Sequence, residues 1–293
     1  MSTKPLNVQE LARSPLYRRR VMSNQVGLFL SLSAMVVGLL ALTWILAVLL
    51  IKGFSAINLD LFTQITPAPG TPGGGLSNAI VGSLMLVGVC TAISTPVGIL
   101  AGIYLAEYGG HSRFANLTRF VTDIMLSAPS IVVGLFVYAI AVATVGNFSG
   151  WAGTLALSLI AVPVVLRTTE NMLNLVPTPL REAASALGAP KWKVSLSVVL
   201  RAAKSGVMTG VLLAVARVSG ETAPLLFTAL NNQFFSLDMG QPMANLPVVI
   251  FQFAMSPYED WVSLAWGGAL LITLSVLALN ITARVFFREK VQA

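Results

Sequence analysis

The chain has 293 residues, 56% of them hydrophobic and only 10% charged, with a mean hydropathy of +0.82. A soluble domain carries about 25% charged residues, so a chain this apolar cannot cover itself with polar surface and its expected solvent is a bilayer. The net charge of +7 need not mean a nucleic-acid partner, the single cysteine, Cys90, excludes a disulfide or thiolate cluster within the chain, and the single histidine, His111, excludes a multi-histidine metal site.

Residues 1–25 carry Lys4, Arg13, Arg18, Arg19 and Arg20 and read as a polar tail. The apolar run that follows, 26–51, exceeds the roughly 7–15 residues of a signal h-region and is expected to be a retained first transmembrane helix. Five more apolar stretches reach or approach the length needed to cross about 30 Å of hydrocarbon at about 1.5 Å per residue. They are 79–106, 121–145, 151–166, 205–230 and 262–287. The fourth span is short and is expected to run on past Arg167, with that side chain snorkelling to the interface. Ungapped runs of this kind lack the alternation of a membrane barrel strand. The expected fold is therefore an all-α integral membrane protein with six transmembrane helices in one domain, 26–293, behind the 1–25 tail.

Orientation follows from the basic residues. The tail, segments 107–120 and 167–204, and the C-terminal end hold sixteen of the 18. The alternate segments 52–78, 146–150 and 231–261 hold only Lys52, and the last basic residue, Arg217, lies inside a span. Both termini are accordingly expected on the cytoplasmic side. The external stretch Thr66–Gly75 is turn chemistry without the G-x-x-x-x-G-K-[ST] pattern, so it reads as a bend feeding the second span and not as a phosphate cradle. External residues 246–254 are apolar but too short to cross, and suit an interfacial or re-entrant helix. Asp238, Glu259 and Asp260 keep that side acidic. Asp123 is expected in the first turn of the third span, stabilised there by the helix dipole.

Residues 178–188 form a punctuated cytoplasmic helix. Thr178 is its expected cap, Pro179 suits the first position, and Glu182 is expected in the first turn. Gly188 fits the left-handed residue past the end, and Pro190 stops continuation. Ala183, Ala184, Ala186 and Gly188 make a small-residue face that lets another backbone approach but needs a partner for stability. An ordinary interfacial helix has the same physics.

Arg217 lies about 18 Å into the fifth span at about 1.5 Å per residue. Placing an Arg at a span centre costs about 2.5–3.5 kcal/mol on insertion scales. Glu221 follows one turn later. A pair serving only neutrality could be replaced by apolar residues, so a transport role is expected: Arg217 offers a forked donor to a tetrahedral oxyanion, and Glu221 holds the fork while the path is empty. Ser219 and Thr222 are candidate hydroxyl donors to ligand oxygens, and Gly220 would let a backbone approach closely or bend the helix.

Glu182-Ala183-Ala184-Ser-Ala-Leu-Gly188 resembles the E-A-A-x-x-x-G motif of ABC importer permease subunits, in the cytoplasmic slot before the last two spans where that family carries it. The string Gly210 to Ala229, Gly73 to Ile80, Ala128-Pro-Ser-Ile131 and Asn245-Leu-Pro247 are similar to the phosphate-specific branch of the family. The resemblance implies a type I importer permease (MetI-like) fold in a bacterial inner membrane, and a non-catalytic phosphate-transport subunit without a cofactor of its own. It implies that Glu182, Ala183, Ala184 and Gly188 dock a separate ATPase. The implied partners are a homologous permease, most simply as a heterodimer, two ATP-binding subunits on the cytoplasmic face and a periplasmic phosphate-binding protein, with lipid around the spans and no nucleic acid. The residues by themselves leave another tetrahedral oxyanion open. A self-contained secondary transporter needs coupling carboxylates or broken helices in matching halves, whereas Glu221 is the one deep acid and no internal repeat is evident. In a membrane scaffold the Arg217–Glu221 pair would only order packing.

Overall fold

A computed structural model describes residues 15–110 and 112–286, so Lys4, Arg13, His111, Arg288 and Lys290 lie outside the described part. Among the described residues the secondary structure is all helix, without a strand. The chain divides into two units, residues up to Ile51 and residues from Lys52 onward.

The first unit is most of helix α1, Pro15–Ala56, 42 residues long. Its most apolar window has no buried residue. A helix that is hydrophobic all round needs lipid or another chain against it. It begins well before residue 26, because Pro15 is tolerated in a first turn and Arg18, Arg19 and Arg20 are good helix formers. The tail read as separate from the first span is, from Pro15 on, part of the same helix.

In the second unit α2 (Ser77–Ile103) runs on through a π-helical turn, Tyr104–Gly109. Next come α3 (Arg113–Ser127), α4 (Ser130–Val145), α5 (Gly150–Asn174), α6 (Thr178–Ala186) and α7 (Lys191–Ala202). After these come α8 (Lys204–Val218), the single turn α9 (Ala223–Leu226), α10 (Leu246–Ala254) and α11 (Glu259–Phe286). Helices α1, α2 with its extension, α5 and α11 are each long and apolar enough to cross a bilayer, and there are up to six crossings if α3–α4 and α7–α8 each count as one broken span.

The second unit is built around α5, fifteen of whose residues are buried. Helix α2 lies directly on it. A Cβ at Gly98 would stand 2.6 Å from Val165, and one at Gly102 would stand 2.6 Å from Thr169. Small residues at such crossings let two backbones approach when no water is present to drive helices together. A core of Leu86, Leu157, Ile160, Val218, Leu225 and Met243 joins α2, α5, the end of α8 and α9. At one end Leu61, Leu76, Leu246, Val249 and Phe253 pack under α11. At the other, Ile103, Leu173, Val194, Val199 and Val207 gather beneath α6 and α7.

Two expected spans differ, and a third runs on as expected. The stretch 121–145 is not one helix: α3 and α4 meet at 107°. Ala128 precedes Pro129 and is extended (φ −68°, ψ 136°), as the proline ring requires. Helix α3 starts at Arg113, capped by the Ser112 hydroxyl, which accepts from the Ala115 amide. Asp123 therefore sits late in a helix and not in a first turn. The stretch 151–166 does extend, reaching Asn174. The stretch 205–230 breaks after Val218, and its lead-in α7 meets α8 at 74° at Ala203, without a proline. The apolar segment at 246–254 is a nine-residue helix capped by Asn245, whose side-chain oxygen accepts from the Val248 amide.

Candidate functional site

Arg217 stands in the last turn of α8, which ends at Val218. The Gly220 amide donates to the Arg217 carbonyl (3.3 Å) and the Glu221 amide to that of Val218 (3.2 Å), so the ladder tightens into turns where a continuous helix was expected. Pro224, in the first turn of α9, has no amide to carry the ladder on. Unwound backbone inside a membrane protein is tolerated where it is buried in protein or lines a cavity. The break also places Arg217 at the carbonyl end of α8, where the helix dipole favours a cation.

Glu221 still reaches Arg217 across the break, with Nε 3.8 Å from Oε1. That is an ion pair but is too long for a hydrogen bond, so Glu221 offsets the charge without taking up the guanidinium donors. Arg217 keeps 45% of its side chain exposed, against 15% for Glu221. The two hydroxyls divide. Ser219 donates its proton to the Val215 carbonyl (2.7 Å) and, with Val215, lines a groove of about 260 Å³ that also includes Ser83 and Ser275 but not Arg217. Thr222 is half-buried beside Glu221, at the head of α9. In this conformation the structure pairs Arg217 with Glu221 and turns Ser219 into the neighbouring groove.

The second cluster is α6. Pro177, not Thr178, occupies the cap position, with no side-chain cap, and Thr178 is the first helical residue. Glu182 thus falls beyond the first turn. The C-terminal end is as expected: Gly188 has φ +78°, its amide donates to the Ser185 carbonyl (2.9 Å) and the Ala189 amide to that of Ala184 (3.3 Å). These are the two bonds of a Schellman motif. Glu182, Ala183 and Gly188 face outward, while Ala184 turns in against the Val176 and Val194 cluster. Leu187 is 89% exposed beside Gly188, an apolar knob that the motif's spacing does not single out.

The inward side of α6 is held by Arg181. Its Nη2 lies 3.0 Å from Glu107 Oε1 and donates to the Leu173 carbonyl (2.7 Å), while Nη1 donates to that of Val176. A second arginine mirrors it. Arg119 Nε donates to Glu170 Oε1 (2.6 Å) and its Nη2 to the Leu105 carbonyl (3.0 Å). Arg167, expected to snorkel, pairs with Glu170 (3.3 Å) and with the exposed Asp123 (3.4 Å). Glu107 and Glu170 belong to no local motif: Glu107 gets its arginine from a helix 74 residues on, and Glu170 adds Arg119, 51 residues back, to its neighbour Arg167. Among the described residues no group of acids, histidine or cysteine could hold a metal ion.

The family described as "Binding-protein-dependent transport system inner membrane component" matches residues 98–289. "Phosphate transport system permease protein PstA" of Haemophilus influenzae is 60% identical over 267 residues, 91% of this chain and 94% of that protein. "Phosphate transport system permease protein PstA 1" of Mycobacterium tuberculosis (strain CDC 1551 / Oshkosh) is 36% identical over 281 residues, 94% of this chain and 92% of that protein. Among solved structures, a bacterial ABC transporter that imports the acidic polysaccharide alginate matches with a TM-score of 0.65 at 12% identity, over 93% of this chain and 99% of that one. An inward-facing MetNI methionine ABC transporter matches with a TM-score of 0.59 at 20% identity, over 72% of this chain and 93% of that one. These two likenesses concern the fold alone.

Proposed function

The chain belongs to the family of binding-protein-dependent transport system inner membrane components, as a multi-pass transport subunit and not an enzyme, and from that premise we propose that it is a permease subunit of an ATP-driven phosphate importer. One observation carries the choice of cargo: relatives 60% identical over more than nine-tenths of both chains are phosphate permeases. Arg217 supports it chemically. It is a half-exposed guanidinium at a helix break, balanced by Glu221 but not hydrogen-bonded to it. An incoming oxyanion therefore meets free donors in a fork that suits tetrahedral oxygens, and Glu221 keeps the site from holding the anion too tightly. Ser219 joins the path only if its hydroxyl leaves Val215, while Thr222 already stands beside Glu221.

Coupling runs through α6, whose outward residues Glu182, Ala183 and Gly188 form the docking face for a separate ATPase subunit, with Ala184 seating the helix on the permease. A homologous permease completes the path, two ATP-binding subunits sit below, and a periplasmic phosphate-binding protein delivers the anion above. The test is uptake into vesicles holding the whole assembly. Phosphate accumulation should require ATP and the binding protein, and Arg217→Gln should lower it by roughly tenfold or more, the scale of one lost charge-assisted hydrogen bond. Preference for sulfate in the same vesicles would replace the cargo. Uptake at the unaltered rate in Arg217→Gln would end the role given to that residue.

A further inference from the structure

Helix α6 has only nine residues and no buried side chain of its own. An apolar seat under Ala184 holds it down but gives no direction to a push. The directional contacts belong to Arg181. Its guanidinium spans the carboxylate of Glu107, whose side chain is 7% exposed, and the carbonyls of Leu173 and Val176 at the end of α5. The Leu173 carbonyl lies in the last turn of α5 and that of Val176 just past it, at a helix C-terminus where a cation is favoured. Glu107 sits in the π-helical turn that continues α2. On its other side, that turn is gripped by Arg119, through the carbonyls of Leu105 and Gly110 and through Glu170, one helical turn before Leu173 on α5. Helices α2 and α5 are already locked by the contacts of Gly98 on Val165 and Gly102 on Thr169.

We infer that Arg181 is the positioning residue that ties the docking helix to the α2–α5 pair, so that motion of the ATPase reaches the transport path through the Arg181–Glu107 contact. The alternative route, through α7, passes a 74° bend before it reaches α8. Arg181 faces inward, away from the docking face, so its loss leaves the ATPase bound but slipping. The inference rests on the proposed function.

The experiment uses the complete importer in proteoliposomes, with anion uptake and ATP hydrolysis measured together. Arg181→Gln and Glu107→Gln should each retain the ATPase subunit through purification and lower the phosphate moved per ATP by roughly fivefold or more, the lower end of measured coupling between sites. Arg181→Lys should recover only part of the ratio, because an ammonium lacks the fork that spans carboxylate and carbonyls. The double Gln variant should be no worse than either single one, as for two ends of one contact. An unchanged ratio in both single variants overturns the inference, and so does loss of the ATPase from both, which would make the contact part of docking. If the native complex hydrolyses ATP but carries another anion, the reading of phosphate fails while the same ratio, measured on that anion, still decides the role of Arg181.

Discussion

Two kinds of charge stand among the apolar helices of this chain, and their geometry separates them. Glu170 lies between Arg119 at 2.6 Å and Arg167 at 3.3 Å with 4% of its side chain exposed. Every strong contact it makes is internal, so its work is to fasten α3 to α5. Glu170→Gln removes a charge that both arginines need. The cost should be about 2 kcal/mol, between the ~1 of an exposed pair and the ~3–5 of breaking a buried one, since both arginines are partly solvated. A clear drop in the thermal unfolding midpoint in detergent checks it, and an unshifted midpoint would mean that the two arginines find other partners. Arg217 is the opposite case: half-exposed, 3.8 Å from its carboxylate, and at a point where the backbone itself is broken. The same residue type serves packing in one place and an open donor set in the other. Spacing along the chain picked out Arg217–Glu221, because both lie in one apolar run. It could not pick out the Arg119–Glu170 and Arg181–Glu107 contacts, whose members stand 51 and 74 residues apart in sequence.

Helices α6 and α8 show what local sequence can and cannot settle. The end of α6 was readable: Gly188 takes φ +78°, and Pro190 follows. The start was not, because Thr178 and Pro177 are both plausible boundary residues, and the tertiary fold chose Pro177 for the cap position. A side chain with a Cβ at Gly188 meets no neighbour but must adopt a left-handed backbone, at about 1–2 kcal/mol. Gly188→Val should therefore unwind the end of α6 and release the ATPase subunit from the purified complex while the permease still inserts. Gly188→Asn, which tolerates that conformation, should keep it. Retention in both variants would count against α6 as the docking element. For α8, hydropathy suggested an unbroken run, since nothing in 205–230 except Arg217, Glu221 and Pro224 is unfriendly to a membrane helix. The break after Val218 comes from the turn hydrogen bonds at Gly220 and Glu221 and from Pro224, and it changes the setting of the candidate site from a helix face to a helix end.

At the scale of the whole molecule, α1 is the least self-sufficient part. It has 42 residues and no buried position in its most apolar window. The exposed faces of α1, the half-exposed Arg217 and the outward side of α6 each call for a partner that one chain does not contain. Purification in mild detergent should accordingly yield this chain with a homologous permease and an ATP-binding subunit, and a stable solitary chain would contradict that assembly. Apolar run length and the placement of Lys and Arg determined a great deal on their own: a bilayer protein, all helical, with six candidate crossings and a short polar helix before the last two. Those properties depend on transfer free energy and backbone satisfaction, which act residue by residue. Only the tertiary structure decided that α3 turns 107° into α4, that α8 stops beside Arg217, and that Arg181, Glu107, Arg119 and Glu170 meet around one π-helical turn. Such features are set by which helices lie side by side, and close packing through glycines and long-range ion pairing leave no periodic trace in a single chain.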